Sequence, residues 1–239
     1  MNTDKLSVRL TRVANYVPEG ARMADIGSDH AYLPCYLAKN IKIPFAIAGE
    51  VAEGPYQSAE KNVLAEGLAD QISVRMGDGL EVIQPGEVDC ITIAGMGGAL
   101  ISTILDNGKD KLDSVKRLVL QPNISAISIR TWLLSNNWEL LAEEIIEEDG
   151  KIYEILVAEQ GEPDRPYREK REEGLLLGPF LLKQKNEIFI KKWTAEMKNW
   201  QRICQALEGA TETAETIEKR KELIEKIRLV EEVLKNEES

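Results

Sequence analysis

The segment Asp25-Ile26-Gly27-Ser28-Asp29-His30 gathers two carboxylates, Asp25 and Asp29, and the only histidine of the chain around one glycine. An Asp-x-Gly that closes a strand lets the backbone approach a ligand, because Gly27 has no side chain; a plain tight connection would use the same residue. Glu50 stands 23 residues after Gly27, in Ile47-Ala48-Gly49-Glu50-Val51. A carboxylate there can accept from both hydroxyls of a ribose and repels a phosphorylated one, which disfavours NADP; a solvated strand-end glutamate is the plain alternative. Gly77-Asp78-Gly79 offers an acceptor for an exocyclic amino group such as N6 of adenine, although turn chemistry favours the same residues. Ala94-Gly95-Met96-Gly97-Gly98 has three glycines in four positions, which suits a wall that a flat or bulky group touches. No segment resembles G-x-x-x-x-G-K-[ST], which argues against a nucleoside triphosphatase.

Other reactive types have two readings each. His30 suits acid–base chemistry or a hydrogen bond within its loop beside Asp29. Lys5, Arg9 and Arg12 follow spacings of 4 and 3, one face of a possible N-terminal helix, which serves solvent or phosphate.

To meet, these residues must stand at the carboxyl ends of parallel strands. Apolar runs at 21–26, 46–51, 72–76, 90–94 and 118–121 read as buried strands. Helical stretches at 33–39, 56–66, 99–105 and 124–136 separate them, which implies right-handed crossovers. The alternation then breaks. Asp149-Gly150 joins two β-rich runs, 138–146 and 152–158, a strong hairpin signal. Five parallel strands followed by an antiparallel pair resemble the seven-stranded sheet of S-adenosylmethionine (SAM)-dependent methyltransferases more than a dehydrogenase sheet, and G-x-G-x-x-G is absent.

Composition changes near Gly161-Glu162-Pro163-Asp164-Arg165-Pro166, which sets expected domains of 1–161 and 162–239. Beyond it, Trp193, Met197, Trp200, Cys204 and Leu207 step by 4-3-4-3, and Leu223, Ile227, Val230 and Leu234 by 4-3-4. With Gly209-Ala210-Thr211-Glu212-Thr213 as the link, the pattern predicts an antiparallel, coiled-coil-like helical hairpin with those residues as its core; base stacking is the alternative role for Trp193, Met197 and Trp200. Lys183, Lys185, Lys191, Lys192, Lys198 and Arg202 would project outward, suited to phosphate or to solubility.

Charge is unevenly placed along the 239 residues, whose net is −11. Residues 1–160 carry 24 acidic against 14 basic side chains, whereas 165–202 carries five against ten. A basic segment is therefore hidden in an acidic total, and local distribution decides what a nucleic acid meets. No apolar run reaches the length of a membrane span, and the first residues lack the pattern of a signal peptide. Three scattered cysteines without C-x-x-C spacing argue against a disulfide framework or a zinc knuckle. The expectation is a cytoplasmic protein with no metal, no membrane contact and no stable protein partner.

The motifs D-I-G-S-D-H-A-Y-L-P, A-G-E-V, G-D-G-L, I-A-G-M-G-G and L-Q-P-N, in this order and spacing, resemble the TrmK-type bacterial tRNA (adenine-22, N1)-methyltransferases. The resemblance runs from near the N-terminus to about residue 160, and the helical extension is similar in placement. Asp29 stands where the commoner methyltransferase D-x-G-x-G has its second glycine. Ala94-Gly95-Met96-Gly97 replaces the N-P-P-[YF] of amino-group methylating enzymes. Both departures match the TrmK type. The resemblance implies a class I SAM-dependent, Rossmann-like α/β fold that yields S-adenosylhomocysteine and acts on tRNA. It implies a cofactor site of Asp25, Gly27, Asp29, Glu50, Asp78, Gly79 and Ala94, Gly95, Met96, Gly97. Asp29, then His30, are the candidates to act on the base, unless Asp29 only holds the amino-acid part of SAM. Lys5, Arg9, Arg12, Lys183, Lys185, Lys191, Lys192 and Lys198 are the candidate RNA contacts. Methylation of another RNA or a small molecule, or RNA binding with a vestigial site, are the alternatives.

Overall fold

A strand covered on both faces needs apolar side chains in near-continuous runs. Met23, Ala24, Ala46, Ile47, Ala48, Cys90, Ile91 and Ile93 meet that need and are buried. A computed structural model describes residues 2–40, 43–208 and 213–235 of the chain. It divides into two compact units, Met1–Asp164 and Arg165–Ser239.

In the first unit, β1 (Arg22–Ile26), β2 (Phe45–Glu50), β3 (Ile72–Met76), β4 (Cys90–Gly97) and β5 (Arg117–Ile124) are parallel. β6 (Trp138–Glu148) and β7 (Lys151–Gln160) form an antiparallel hairpin, and β7 enters beside β5. The order is β3-β2-β1-β4-β5-β7-β6. Asp149 (φ 51°) and Gly150 (φ 73°) make a two-residue turn with both φ values positive, the geometry that Asp-Gly favours because it matches strand twist. The order reverses between β1 and β4, which opens a crevice at their carboxyl ends.

The crossover helices are α2 (Tyr32–Asn40), α3 (Glu53–Ala65), α4 (Gly98–Asn107) and α5 (Ala126–Ser135). α3 begins three residues ahead of expectation because Pro55 fits a first turn, where its missing N–H has no helical partner to lose. β4 and β5 run on past their apolar stretches because they keep pairing to Gly97↔Ile124, across register shifts around Met96.

α1 (Val8–Asn15) precedes the sheet. Its Ser7 cap accepts from the Leu10 N–H (3.2 Å), and the Glu148 carboxylate accepts from the Val8 N–H (2.5 Å), an anion where the helix end is positive. Lys5 lies ahead of that cap. It therefore shares no helical face with Arg9 and Arg12, contrary to the expected spacing.

The second unit holds α6 (Arg171–Leu177), α7 (Leu181–Gln184), α8 (Glu187–Glu208) and α9 (Ala214–Lys235). α8 and α9 run antiparallel, since Lys185, just ahead of α8, donates to Val233 O near the end of α9 (2.8 Å), and Arg220 pairs with Glu208 (2.5 Å). Trp193, Cys204, Leu223 and Val230 are buried, while Met197, Trp200, Leu207, Ile227 and Leu234 are half-buried. Residues 209–212 of the expected link lie outside the described residues. Thr213 caps α9, its hydroxyl accepting from the Thr216 N–H (3.1 Å). α6 and α7 were not foreseen: at seven and four residues, split by Gly178 (φ 94°) and Pro179, they are too brief for a helical period to register.

Candidate active site

The carboxyl ends of β1, β4 and β5 meet around a cavity of about 270 Å³. Asp25, Gly27, Asp29, Ala94, Gly95 and Met96 line it, so six of the ten cofactor candidates share one space. Asp25 is buried, and hydroxyls from Ser28 (2.6 Å) and from Thr92 of β4 (2.5 Å) donate to its two oxygens. Burial pushes its carboxyl above the usual carboxylate range; the two hydroxyls and the Arg9 guanidinium pull it back down. Gly27 sits at φ 68°, the left-handed region that favours glycine; a Cβ there would meet only the movable end of the Met96 side chain, at 2.2 Å from Cε. The Gly27 and Ser28 N–H groups both donate to Gly49 O, tying the turn to β2.

The next three residues, Asp29 (φ 44°), His30 (φ 69°) and Ala31 (φ 55°), are all left-handed. Such backbone is costly for residues with a Cβ and marks a loop held by its surroundings. Asn62 of α3 donates to His30 O (2.9 Å), and the His30 ring stacks on Tyr32 at 5.3 Å. His30 Nε2 lies 3.4 Å from Asp29 Oδ1, and the Asp29 side chain is 75% exposed.

Bending the chain there aims the Asp29 N–H at the carboxylate of Glu50. Glu50 is 5% exposed, and burial raises its carboxyl above the usual range against that hydrogen bond. Among the described residues, its buried Oε1 has no hydrogen-bond partner. An orphaned buried acceptor costs about 1–3 kcal/mol, so it marks a place where a ligand donor belongs. A ribose hydroxyl fits that need, and the site thus fits an adenosyl cofactor by its own chemistry.

The neighbouring strand end is arranged differently. Met76 is the register partner of Glu50, and the Gly77 N–H donates to Glu50 O (2.9 Å), so Asp78 follows just past the paired strand ends. Yet Asp78 and Gly79 line a separate, smaller cavity of about 100 Å³, with Ile104 and Lys111. Gly79 has φ 54° and opens a tight turn whose Glu81 carboxylate accepts from the Asp78 N–H (3.2 Å).

On the far side of the crevice, Gly95 (φ 82°) forms the bulge of β4. Its N–H donates to Gln121 Oε1 (3.0 Å), and its O accepts from Asn123 Nδ2 (2.7 Å). Of the glycine-rich wall, Gly97 caps α4, and Gly98 serves packing, because a Cβ there would meet Ser125 O at 2.1 Å. Arg9 points into the cavity from α1: Nη1 donates to Gln121 Oε1, and the guanidinium lies 5.5 Å from the Tyr153 ring centre. Gln121, Asn123, Tyr153, Ser28 and Thr92 escaped sequence reasoning as site residues, although L-Q-P-N contains two of them. A lone threonine in the buried run Cys-Ile-Thr-Ile was the signal for Thr92.

The remaining cations are scattered. Lys5 is exposed, and Arg12 pairs with Glu144 of β6 (3.3 Å). Lys183, Lys191 and Lys198 are exposed, and Lys192 stands 4.9 Å from the Trp193 ring. Lys185 does not project outward as expected, because its ammonium is spent on Val233 O. Among the described residues no group of three or more His, Cys, Asp or Glu is arranged to hold a metal ion, and no helix is long and apolar enough to cross a membrane.

A 3-2-1-4-5-7-6 sheet with a reversed seventh strand, and an orphaned acid at the end of β2, defines a class I SAM-dependent methyltransferase fold. A family model described as TrmK, tRNA (adenine(22)-N(1))-methyltransferase, matches residues 23–232. A Bacillus subtilis (strain 168) tRNA (adenine(22)-N(1))-methyltransferase is 54% identical over 235 residues, covering 98% of this chain and 99% of the relative. The crystal structure of the B. subtilis M1A22 tRNA methyltransferase TrmK superposes with a TM-score of 0.92, at 54% identity, over 96% of this chain and 99% of that one. Streptococcus pneumoniae Sp1610 in complex with S-adenosyl-L-methionine gives a TM-score of 0.80 at 44% identity, over 96% of this chain and 100% of that one. The chain belongs to the tRNA (adenine(22)-N(1))-methyltransferase family.

Proposed function

We propose that the chain methylates N1 of adenine-22 in tRNA with SAM as methyl donor. The observation that carries this reading is the unpartnered Glu50 Oε1 at the crevice of a chain of this family. When bound, SAM supplies an electrophilic methyl group on a sulfonium. Glu50 accepts from the ribose, and Asp78 with Gly79 takes the adenine amino edge. Asp25, Gly27, Asp29 and the backbone of Ala94, Gly95, Met96 and Gly97 hold the amino-acid side.

Adenine N1 carries a lone pair at neutral pH, so no base is needed to create the nucleophile. What the protein must do is receive the unstacked adenine and hold N1 in line with the methyl group at about 3–3.5 Å. Methylation places positive charge on the ring and acidifies N6. Asp29, with its carboxylate largely exposed at the cavity edge, is the group to stabilise that charge, and His30 lies beside it. Residues 1–161 serve as the catalytic domain and 162–239 as an extension that grips tRNA through Lys183, Lys191, Lys192 and Lys198. tRNA is the partner, and the cytoplasm is where the two meet.

The test is mass spectrometry of nucleosides from tRNA incubated with protein and SAM. 1-Methyladenosine confined to position 22 is expected. Tight NADH binding without SAM binding in calorimetry would overturn the reading.

A further inference from the structure

Directly behind the crevice wall, against Arg9 and Gly95 which line it, lies an amide that the cofactor reading leaves without a task. Gln121 is fully buried at the end of β5. Its Nε2 donates to Pro122 O (2.9 Å) and reaches Asn123 Oδ1 (3.4 Å), so the amide is fixed with Oε1 turned the other way. Oε1 accepts from the Gly95 N–H (3.0 Å) and from Arg9 Nη1. A carbonyl oxygen takes two donors, so Arg9 occupies the second place.

Arg9 is also the only one of these partners brought from outside the sheet. It rides on α1, and its guanidinium stands 5.5 Å from the Tyr153 ring centre inside the cavity. A flat cation over a tyrosine, with an in-plane N–H on an amide oxygen, repeats what an adenine would do there. The base would stack on the ring and donate from its N6 amino group. Guanine carries a carbonyl oxygen where adenine carries that amino group, and it would set acceptor against acceptor.

We propose that Gln121 Oε1 reads the N6 amino group of the target adenine over Tyr153, and that Arg9 holds this acceptor until the base displaces it. The proposal rests on the reading above of adenine N1 as the methylated atom. As the N1–CH3 bond forms and the S–CH3 bond breaks, the positive charge passes from sulfur to the ring, and no proton has to leave. N6 becomes a stronger donor in that step, so its bond to Gln121 is worth more in the transition state than before it.

The experiment pairs wild type, Gln121→Leu and Arg9→Ala with two tRNAs, one with adenosine and one with purine riboside at position 22. Purine riboside keeps N1 and lacks the amino group. Methyl transfer is followed as kcat/KM, and S-adenosylhomocysteine affinity and melting temperature report whether each variant is folded. Wild type should prefer adenosine by about 10- to 100-fold, the worth of a hydrogen bond to a group that becomes charged. Gln121→Leu should bind S-adenosylhomocysteine as wild type does and lose most of that preference. Arg9→Ala should keep it. A wild type indifferent to the amino group overturns the proposal whether or not the leucine variant folds. Full preference retained by Gln121→Leu, or lost in Arg9→Ala, overturns it as well. A wild type that methylates neither tRNA sinks the functional reading instead.

Discussion

Two of the buried groups of carboxylates in the first unit are handled in opposite ways. Glu143 of β6 and Glu154 of β7 close on Arg130 of α5: Nε lies 2.7 Å from Glu143 Oε1, and Nη2 lies 2.5 Å from Glu154 Oε2. All three side chains are inaccessible or nearly so. Asp25 and Glu50, at the crevice, receive hydroxyl and backbone donors but, among the described residues, no paired cation, and one Glu50 oxygen receives nothing. A saturated buried charge is architecture, here holding the terminal hairpin to α5. An unsaturated one stores instability that a ligand relieves.

Breaking the saturated set should have the largest effect on folding. Arg130→Met leaves Glu143 and Glu154 buried without their cation, and we expect a loss of about 3–5 kcal/mol in urea unfolding. A loss under about 1 kcal/mol would erase the distinction. The open set should respond in the other sense. Glu50→Ala should weaken SAM binding in calorimetry by about 1.5–3 kcal/mol, as for a lost charged hydrogen bond. Glu50→Gln, which keeps an acceptor for the Asp29 N–H, should leave urea stability equal or higher, because a desolvated charge is gone.

The same contrast predicts a pH dependence. Burial raises the carboxyl groups of Asp25 and Glu50 in the folded protein. Between the ordinary value, 4.5 for Glu50, and the raised one, the folded state binds more protons than the unfolded state. Their contribution to stability therefore falls as pH rises through that window. SAM affinity should move oppositely, tightening as Glu50 ionises. Titration calorimetry across the window should show both trends, and Glu50→Gln should flatten the affinity trend; an unchanged slope would remove Glu50 from the ribose.

How much of this was legible follows from the range of each signal. Asp149-Gly150 specifies its turn within two residues, so the hairpin and the sheet that contains it could be read directly. The placement of Asp25, Gly27, Asp29 and Ala94–Met96 around one cavity followed from strand ends alone. Gln121 was hidden because its partners, Gly95 and Arg9, lie 26 and 112 residues away. Arg9 and Arg12 share a helical spacing, but spacing does not say which turn faces a cavity. Arg9 enters it and Arg12 meets Glu144. Lys185 failed for the same reason, since the carbonyl it serves is 48 residues further on.

That lysine carries the contrast between saturated and open charge into the second unit, where the smallest effects are expected. Lys185 stands at the C-terminal end of α9, where a cation is favoured, and its ammonium already has an acceptor. Lys198 is exposed on α8. If saturation separates architecture from binding, Lys185→Met should cost about 1 kcal/mol of stability and leave the salt dependence of tRNA binding unchanged. Lys198→Gln should leave melting unchanged within about 0.5 kcal/mol and lower the slope of log K against log salt by about one. Lys183→Gln, also exposed, should act like Lys198→Gln and add to it. Filter binding between low and moderate salt measures the slopes, and thermal melts of the same samples measure stability. Equal slopes for wild type and the doubly substituted protein would mean that these lysines only solvate the helices. Reduced slope on Lys185→Met with unchanged melting would break the rule itself, because a charge spent on a helix end would then be serving the RNA.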